Sequence, residues 1–185
     1  MSFTVRPYLP DDEPGWLRCR VLAFLDTQYY DDVTPHRTSF DLPAVCLVAV
    51  ADDGTICGVL DVEVDGGAAT IDTVAVHPDH GRRGIATTLL DEAIPQVRAA
   101  GATTLDAWTR EDEVANAWYL RSGFAENHRY LHVYKGGDEP AAGFAAPDGL
   151  STPVIAFMHA DISREAELRA RFARVHVCRQ YLRRL

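Results

Sequence analysis

At 185 residues, with 47% hydrophobic and 24% charged side chains, the chain has the length and composition of one soluble globular domain. No apolar run approaches the roughly 18 residues that cross a bilayer, and the start, MSFTVRPYLPDD, lacks the features of a signal peptide, so a cytoplasmic protein without membrane contact is expected. Seven arginines against Glu165 and Glu167 give residues 164–185 a local +5 within a total of −9, leaving −14 elsewhere; such an acidic body argues against nucleic acid as a partner and leans toward a cationic substrate.

Residues 3–7 (FTVRP) read as a short strand closed by Pro7. Asp11, Asp12, Glu13 and Pro14 make a helix entry, because acids and proline both suit a first turn. The helix carries Trp16, Leu17, Val21, Phe24 and Leu25 at near-helical spacing. A polar, aromatic loop around Tyr29, Tyr30 and Pro35 follows and is read as a substrate-side lid. Residues 45–51 (VCLVAVA) form an apolar run, as a strand covered on both faces does. After the turn Asp52-Asp53-Gly54, the segment 56–65 alternates from Leu60: Leu60, Val62 and Val64 against Asp61, Glu63 and Asp65. That period predicts one dry face and one acidic face. Gly66-Gly67 turns the chain into a strand at 69–76, completing an antiparallel meander.

His77-Pro78 breaks that strand, and a glycine-bearing loop leads to a helix at 86–100. Its apolar positions Leu89, Leu90, Ala93, Ile94 and Val97 share one face, Pro95 is expected to kink it, and Gly101 closes it. A strand at 103–109, a helix at 112–122 and a strand at 127–134 come next. A long Gly/Ala/Pro-rich loop at 136–151 precedes a strand at 153–160 and an additional C-terminal helix from Ser163 to the end. The helix stripe Leu168, Phe172, Val175, Leu182 and Leu185 is expected to pack on the protein's own sheet or to build a homodimer. One strand and one helix cannot hold a core, so residues 1–185 read as a single domain. The fold class is α/β of the α+β type: a mixed, mostly antiparallel sheet flanked by helices.

The stretch Val74-Ala75-Val76-His77-Pro78-Asp79-His80-Gly81-Arg82-Arg83-Gly84-Ile85-Ala86 is a strand, a turn and a helix start. A helix N-terminus leaves several N–H groups unbonded and carries partial positive charge. Gly84 and Ala86 let a large anion approach the backbone, while Arg82 and Arg83 add charge, so the segment reads as a phosphate or pyrophosphate site. A mononucleotide P-loop needs Gly-Lys-Ser/Thr, yet the only lysine is Lys135. The dinucleotide fingerprint G-x-G-x-x-G is absent as well, and an antiparallel meander precedes the loop where a Rossmann fold alternates strands and helices. Cys19, Cys46, Cys57 and Cys178 form no C-x-x-C pair and read as reduced packing thiols. The seven histidines show no metal-ligand spacing, so no metal is expected.

Residues 81–86 (GRRGIA), after the strand ending in Val74 and Val76, resemble the acetyl-CoA motif of the GNAT acetyltransferases, with Gly81 where that family usually has Gln or Arg. Residues 115–124 (ANAWYLRSGF) resemble a later motif of the same family through Ala115, Tyr119, Gly123 and Phe124, and Asp112 stands where the family often has asparagine. The resemblance implies an N-acetyltransferase that binds acetyl-CoA through Val74, Val76, Gly81, Arg82, Arg83, Gly84, Ile85, Ala86, Thr87 and Tyr119. It implies the Val74 N–H as oxyanion donor and Tyr119 as general acid for the departing thiolate. The acceptor would be the amine of a small molecule or peptide. Asp72, two residues before Val74 and so expected on its face, is the first candidate for the base. Asp61 and Glu63, with Tyr29 and Tyr30, are candidate acceptor contacts. The alternative is a non-catalytic acyl-CoA-binding module of the same fold.

Overall fold

In the computed structural model, which describes residues 2–185, the meander is a run of four antiparallel strands: β1 Phe3–Pro7, β2 Ala44–Ala51, β3 Ile56–Asp65 and β4 Ala68–Val76. β5, Thr104–Thr109, joins parallel to β4. Helix α1, Glu13–Leu25, lies between β1 and β2 in sequence; α2, Ile85–Ala99, between β4 and β5; and α3, Glu113–Arg121, after β5. Then come β6 Ala125–Lys135, β7 Ala156–Ala160, α4 Glu165–Arg171 and β8 Arg174–Arg184. The chain divides into two compact units. The first holds the residues through Ala107, Asp112–Ala125 and Tyr181–Leu185; the second holds Trp108–Glu111 and Glu126–Gln180.

In the first unit α1 and α2 cover opposite sides of the sheet. Trp16 and Cys19 of α1 pack with Val48, Val59 and Ala75, while Leu89, Leu90, Ala93 and Val97 of α2 pack with Leu47, Leu60, Val62 and Ile71. Each fully buried Leu, Ile or Val of the α2 stripe contributes about 1.5–3 kcal/mol, which is why that stripe fixes the helix. α2 continues through Pro95 to Ala99, with the proline exposed. Gly58 explains the close fit: a Cβ there would collide with the Ile85 side chain, so only glycine admits the start of α2 against β3.

The alternation of β3 misled in one respect. Both faces are covered, and Asp61 is fully buried. β4 carries a second departure from period two. Asp61 pairs with Thr73 but Val62 pairs with Ile71, which leaves Asp72 as the extra residue of a β-bulge. Ala69 and Ile71 pack in the α2 core, and so do Val74 and Val76, whereas Ala75 packs with α1. Across the bulge the side chains change sides, so Asp72 does not share the face of Val74.

The second unit has the strand order β8-β6-β7 and an apolar core of Leu131, Val133, Leu168, Phe172, Val175 and Val177. The segment after the long loop builds this core together with β6 rather than by itself. The expected C-terminal helix is corrected too: α4 ends at Arg171, Phe172 is extended, and residues 174–184 are a strand. Val175 and Val177 against His176 is period two. Leu168, Phe172 and Val175 mimic helical spacing only because a short helix runs into a strand on one core. Of the five stripe residues, Leu168, Phe172 and Val175 pack on the protein's own sheet, one of the two expected outcomes, but Val175, Leu182 and Leu185 do not lie on a helix. Lys135 is buried, with its Nζ donating to the Gly136 and Val154 carbonyls at 2.9 and 2.8 Å. Among the described residues no helix is long and apolar enough to cross a membrane.

Candidate active site

α2 begins on Gly84, whose φ of +78° is left-handed, and no side chain caps the helix. A Cβ on Gly84 would meet nothing within 4 Å, so the space beside the first-turn amides is open. Arg82 is left-handed as well, at φ 61°, an uncommon state for a residue with a Cβ and one that costs on the order of 1 kcal/mol. Gly81, Arg82, Arg83 and Gly84 are all exposed, Ile85 is buried, and Ala86 is half-buried. The result is a shallow cradle of amides at the positive end of a 15-residue helix, flanked by two arginines. Such a cradle suits an anionic group. Thr87 is held in place by the Trp118 Nε1–H, which donates to its Oγ1 at 3.1 Å and ties α2 to α3.

Beside the cradle, β4 parts from β5. The parallel ladder runs only from Ala68–Thr104 to Ile71–Ala107, while β4 continues to Val76 against β3. The bulge at Asp72 falls where the ladder stops, and a bulge both unpairs and bends a strand. The His77 N–H donates to the Cys57 carbonyl at 3.0 Å, toward β3. By alternation, the Val76 and Val74 amides point to the opposite edge, the one β5 has left. An extended chain can hydrogen-bond there as an added strand.

Tyr119 lies on α3 and is buried among rings: Trp118 at 4.9 Å, Phe124 at 5.4 Å, and Tyr181 stacked at 5.3 Å. Burial foremost, with added influence from Tyr29 and Asp106, pushes its phenol well above the ordinary value. The hydroxyl is therefore protonated at any ordinary pH. Asp112 caps α3, accepting from the Ala115 N–H at 2.7 Å.

Asp72 is exposed, and the Thr73 hydroxyl donates to it at 3.0 Å. Glu63 is half-buried on β3. Tyr29 and Tyr30 lie in the loop after α1, where Tyr29 packs on Phe24 at 5.4 Å and Tyr30 is exposed. Asp61 does not offer a free acid, because Arg37 binds it in a bidentate pair, with Nε at 2.9 Å and Nη2 at 2.8 Å. Burial pushes the Asp61 carboxyl upward, and Arg37 and Cys46 oppose that shift. The guanidinium stacks 4.3 Å from the Tyr8 ring and 5.4 Å from that of Phe40, and the Arg37 N–H donates to Glu13 at 3.1 Å. Arg37 thus pins the loop between α1 and β2 to the sheet. Sequence reasoning missed it, since an ion pair spanning 24 residues leaves no local pattern.

A separate groove of about 560 Å³, lined in part by Asp11, Arg18, Asp53, His77 and His80, includes none of residues 81–87, Val74 or Tyr119. His77 is buried there and accepts from the Asp79 N–H. Among the described residues no group of three or more His, Cys, Asp or Glu side chains is placed to hold a metal ion.

A helix start with uncapped amides thus lies next to a parted parallel strand pair, an arrangement that can receive an extended, anionic ligand. Residues 9–124 match the model of the Acetyltransferase (GNAT) family. The chain belongs to that family of acyltransferases. It is 32% identical over 127 residues to mycothiol acetyltransferase of Clavibacter michiganensis subsp. michiganensis, an alignment covering 64% of this chain but 41% of that protein. The same enzyme of Clavibacter sepedonicus gives the same identity and coverage. Among solved structures, the ribosomal-protein-S18-alanine N-acetyltransferase of Escherichia coli superposes with a TM-score of 0.63 at 16% identity, covering 99% of this chain and 94% of that one. The PaiA N-acetyltransferase of Thermoplasma acidophilum, solved with coenzyme A, gives 0.59 at 17% identity over 69% of this chain and 92% of its own. At those identities the likeness is one of fold.

Proposed function

We propose that the chain is a cytoplasmic N-acetyltransferase that passes the acetyl group of acetyl-CoA to a primary amine by direct attack in a ternary complex. The observation that carries this reading is the uncapped α2 start at left-handed Gly84, beside the β4 edge that β5 has left. Gly81 to Thr87 would hold the diphosphate, with Arg82 and Arg83 adding charge. The Val74 and Val76 backbone would hold the pantetheine arm as an added strand.

The neutral amine attacks the thioester carbonyl, and the negative charge that develops on oxygen is met by the Val74 N–H. The carbon–sulfur bond then breaks, and the Tyr119 hydroxyl protonates the leaving thiolate. The amine's surplus proton passes to Asp72, directly or through water. Asp72 suits this role through its position at the bulge, where the β4 edge opens, rather than through a shared face with Val74. Glu63, Tyr29 and Tyr30 would contact the acceptor, a small-molecule or peptide amine. Asp61 is withdrawn from that set because Arg37 neutralises it.

The test is a thiol-release assay with acetyl-CoA and a panel of amines. Amine-dependent release of free coenzyme A supports the reading. Binding of acetyl-CoA with no release by any amine would instead favour a non-catalytic acyl-CoA-binding module.

A further inference from the structure

β7 is the outer strand of the order β8-β6-β7, and one of its two edges is unused. Its register with β6 runs without a bulge from Leu131–Ala160 to Lys135–Ala156. Among the described residues no backbone group of any other element bonds to residues 156–160, so the N–H and C=O groups of the far edge face water. Such an edge is a template for one more strand, and proteins ordinarily blunt it with a charge, a proline, a bulge or a covering segment. β1, an outer strand of the first unit, is blunted in that way: Arg6 lies within it and Pro7 ends it. β7 (AFMHA) has neither, and no Asp, Glu, Lys or Arg occurs between Asp148 and Asp161. Ile155 is 74% exposed and Phe157 51%, so the edge is apolar as well as open.

The side chains beside that edge say what fits it. Toward β6, Phe157 stands opposite Tyr134 with the rings 4.8 Å apart, and His159 stands opposite His132 at 5.0 Å. Cross-strand ring pairs of this kind stabilise a sheet, and here the row stops at Phe157 and His159 for want of a further strand. A second β7 laid antiparallel about a two-fold axis at Met158 sets Phe157 of each copy opposite His159 of the other. The row of rings then continues across the axis, and every contact is made twice. Charge is complementary too, because no like-charged side chains face each other in this register.

We infer that β7 pairs with β7 of a second copy of this chain, antiparallel and centred on Met158, joining the second units of both copies into one continuous sheet. The strand has five residues, so the contact is small, and small interfaces are weak and reversible. One step beyond the strand the register sets Ile155 opposite Asp161 of the other copy, which makes position 155 a reporter of the pairing.

Sedimentation equilibrium on the full chain without acetyl-CoA tests this independently of acetyl transfer. The mass should rise reversibly from that of one chain toward that of two over roughly 1–500 µM, the range of a weak interface. Phe157→Lys removes two cross-strand ring pairs and should raise the dissociation constant about two- to thirtyfold. Ile155→Glu, which sets an acid opposite Asp161 of the other copy, should weaken the dimer by a similar factor, whereas Ile155→Lys should leave it intact or tighten it. Ile155 is the more exposed of the two residues and serves where the Phe157 variant fails to fold. The mass of a single chain throughout would leave the edge to some other strand and overturn the inference. So would an unchanged dissociation constant in folded Phe157→Lys, or equal effects of Glu and Lys at position 155.

Discussion

Replacing Arg37 tests the electrostatics of the acceptor side. Asp61 is fully buried, and Arg37 supplies both of its guanidinium bonds. Arg37→Met leaves a dry carboxylate facing no cation, a loss of about 3–5 kcal/mol for a buried pair broken on one side. For a chain of this length that corresponds to a fall in melting temperature of about 6–20 °C. Asp61→Leu combined with Arg37→Met removes both charges and should recover most of that loss, because apolar replacement of a whole buried pair is often neutral. In the single variant the folded carboxyl titrates above its unfolded value. Its neutral form is the stable one, so stability should rise as pH falls from neutral toward the ordinary carboxylate range. Urea unfolding of the three proteins at pH 7 and pH 5 measures all of this. A single-variant loss under about 1 kcal/mol, the size of an exposed pair, or a double variant no better than the single, would refute the reasoning.

Three further outcomes are expected. Tyr119→Phe should lower kcat by about 10²- to 10⁴-fold with the KM for acetyl-CoA nearly unchanged, as measured by steady-state thiol release. Because burial raises the Tyr119 phenol, the wild-type rate should show no alkaline fall from this group up to about pH 10, where an ordinary tyrosine titrates. Asp72→Asn should lower kcat/KM by about 10²- to 10⁴-fold in the same assay, the usual loss of a general base, and an unchanged kcat/KM removes Asp72 from the mechanism. Burial pushes the Cys46 thiol up to about 11 and that of Cys19 to about 12. Iodoacetamide at pH 8 should therefore label Cys46 in the native protein at least about a hundredfold more slowly than in the unfolded chain.

The first unit was largely legible because its signals are local. Alternation, Gly-bearing turns and the α2 stripe each lie within one element, and β1 and β3 fall where the sequence puts them. The turn into α2 at Gly84 was legible for the same reason, since the glycines and arginines that form it adjoin in sequence. What escaped depends on partners distant in the chain. The bulge at Asp72 shows only when β3 is laid against β4, so period two predicted the wrong face. The burial of Asp61 depends on Arg37, in a loop without pattern. At the C-terminus, Leu168, Phe172 and Val175 fit a helix by spacing alone. The β-branched pair Val175 and Val177 was the available sign that the chain had become a strand.

The central claim is that the start of α2 receives the diphosphate of coenzyme A, and calorimetry with wild type and Gly84→Val tests it most directly. Valine is strained at a φ of +78° and would place its methyls over the amides, so thermal melts should accompany the titration to show that the variant is folded. The account predicts saturable 1:1 heat with coenzyme A for the wild type and at least about tenfold weaker binding for the folded variant, in line with crowding of an anion site built from backbone amides. No heat from the wild type, or equal affinity in both proteins, would contradict it.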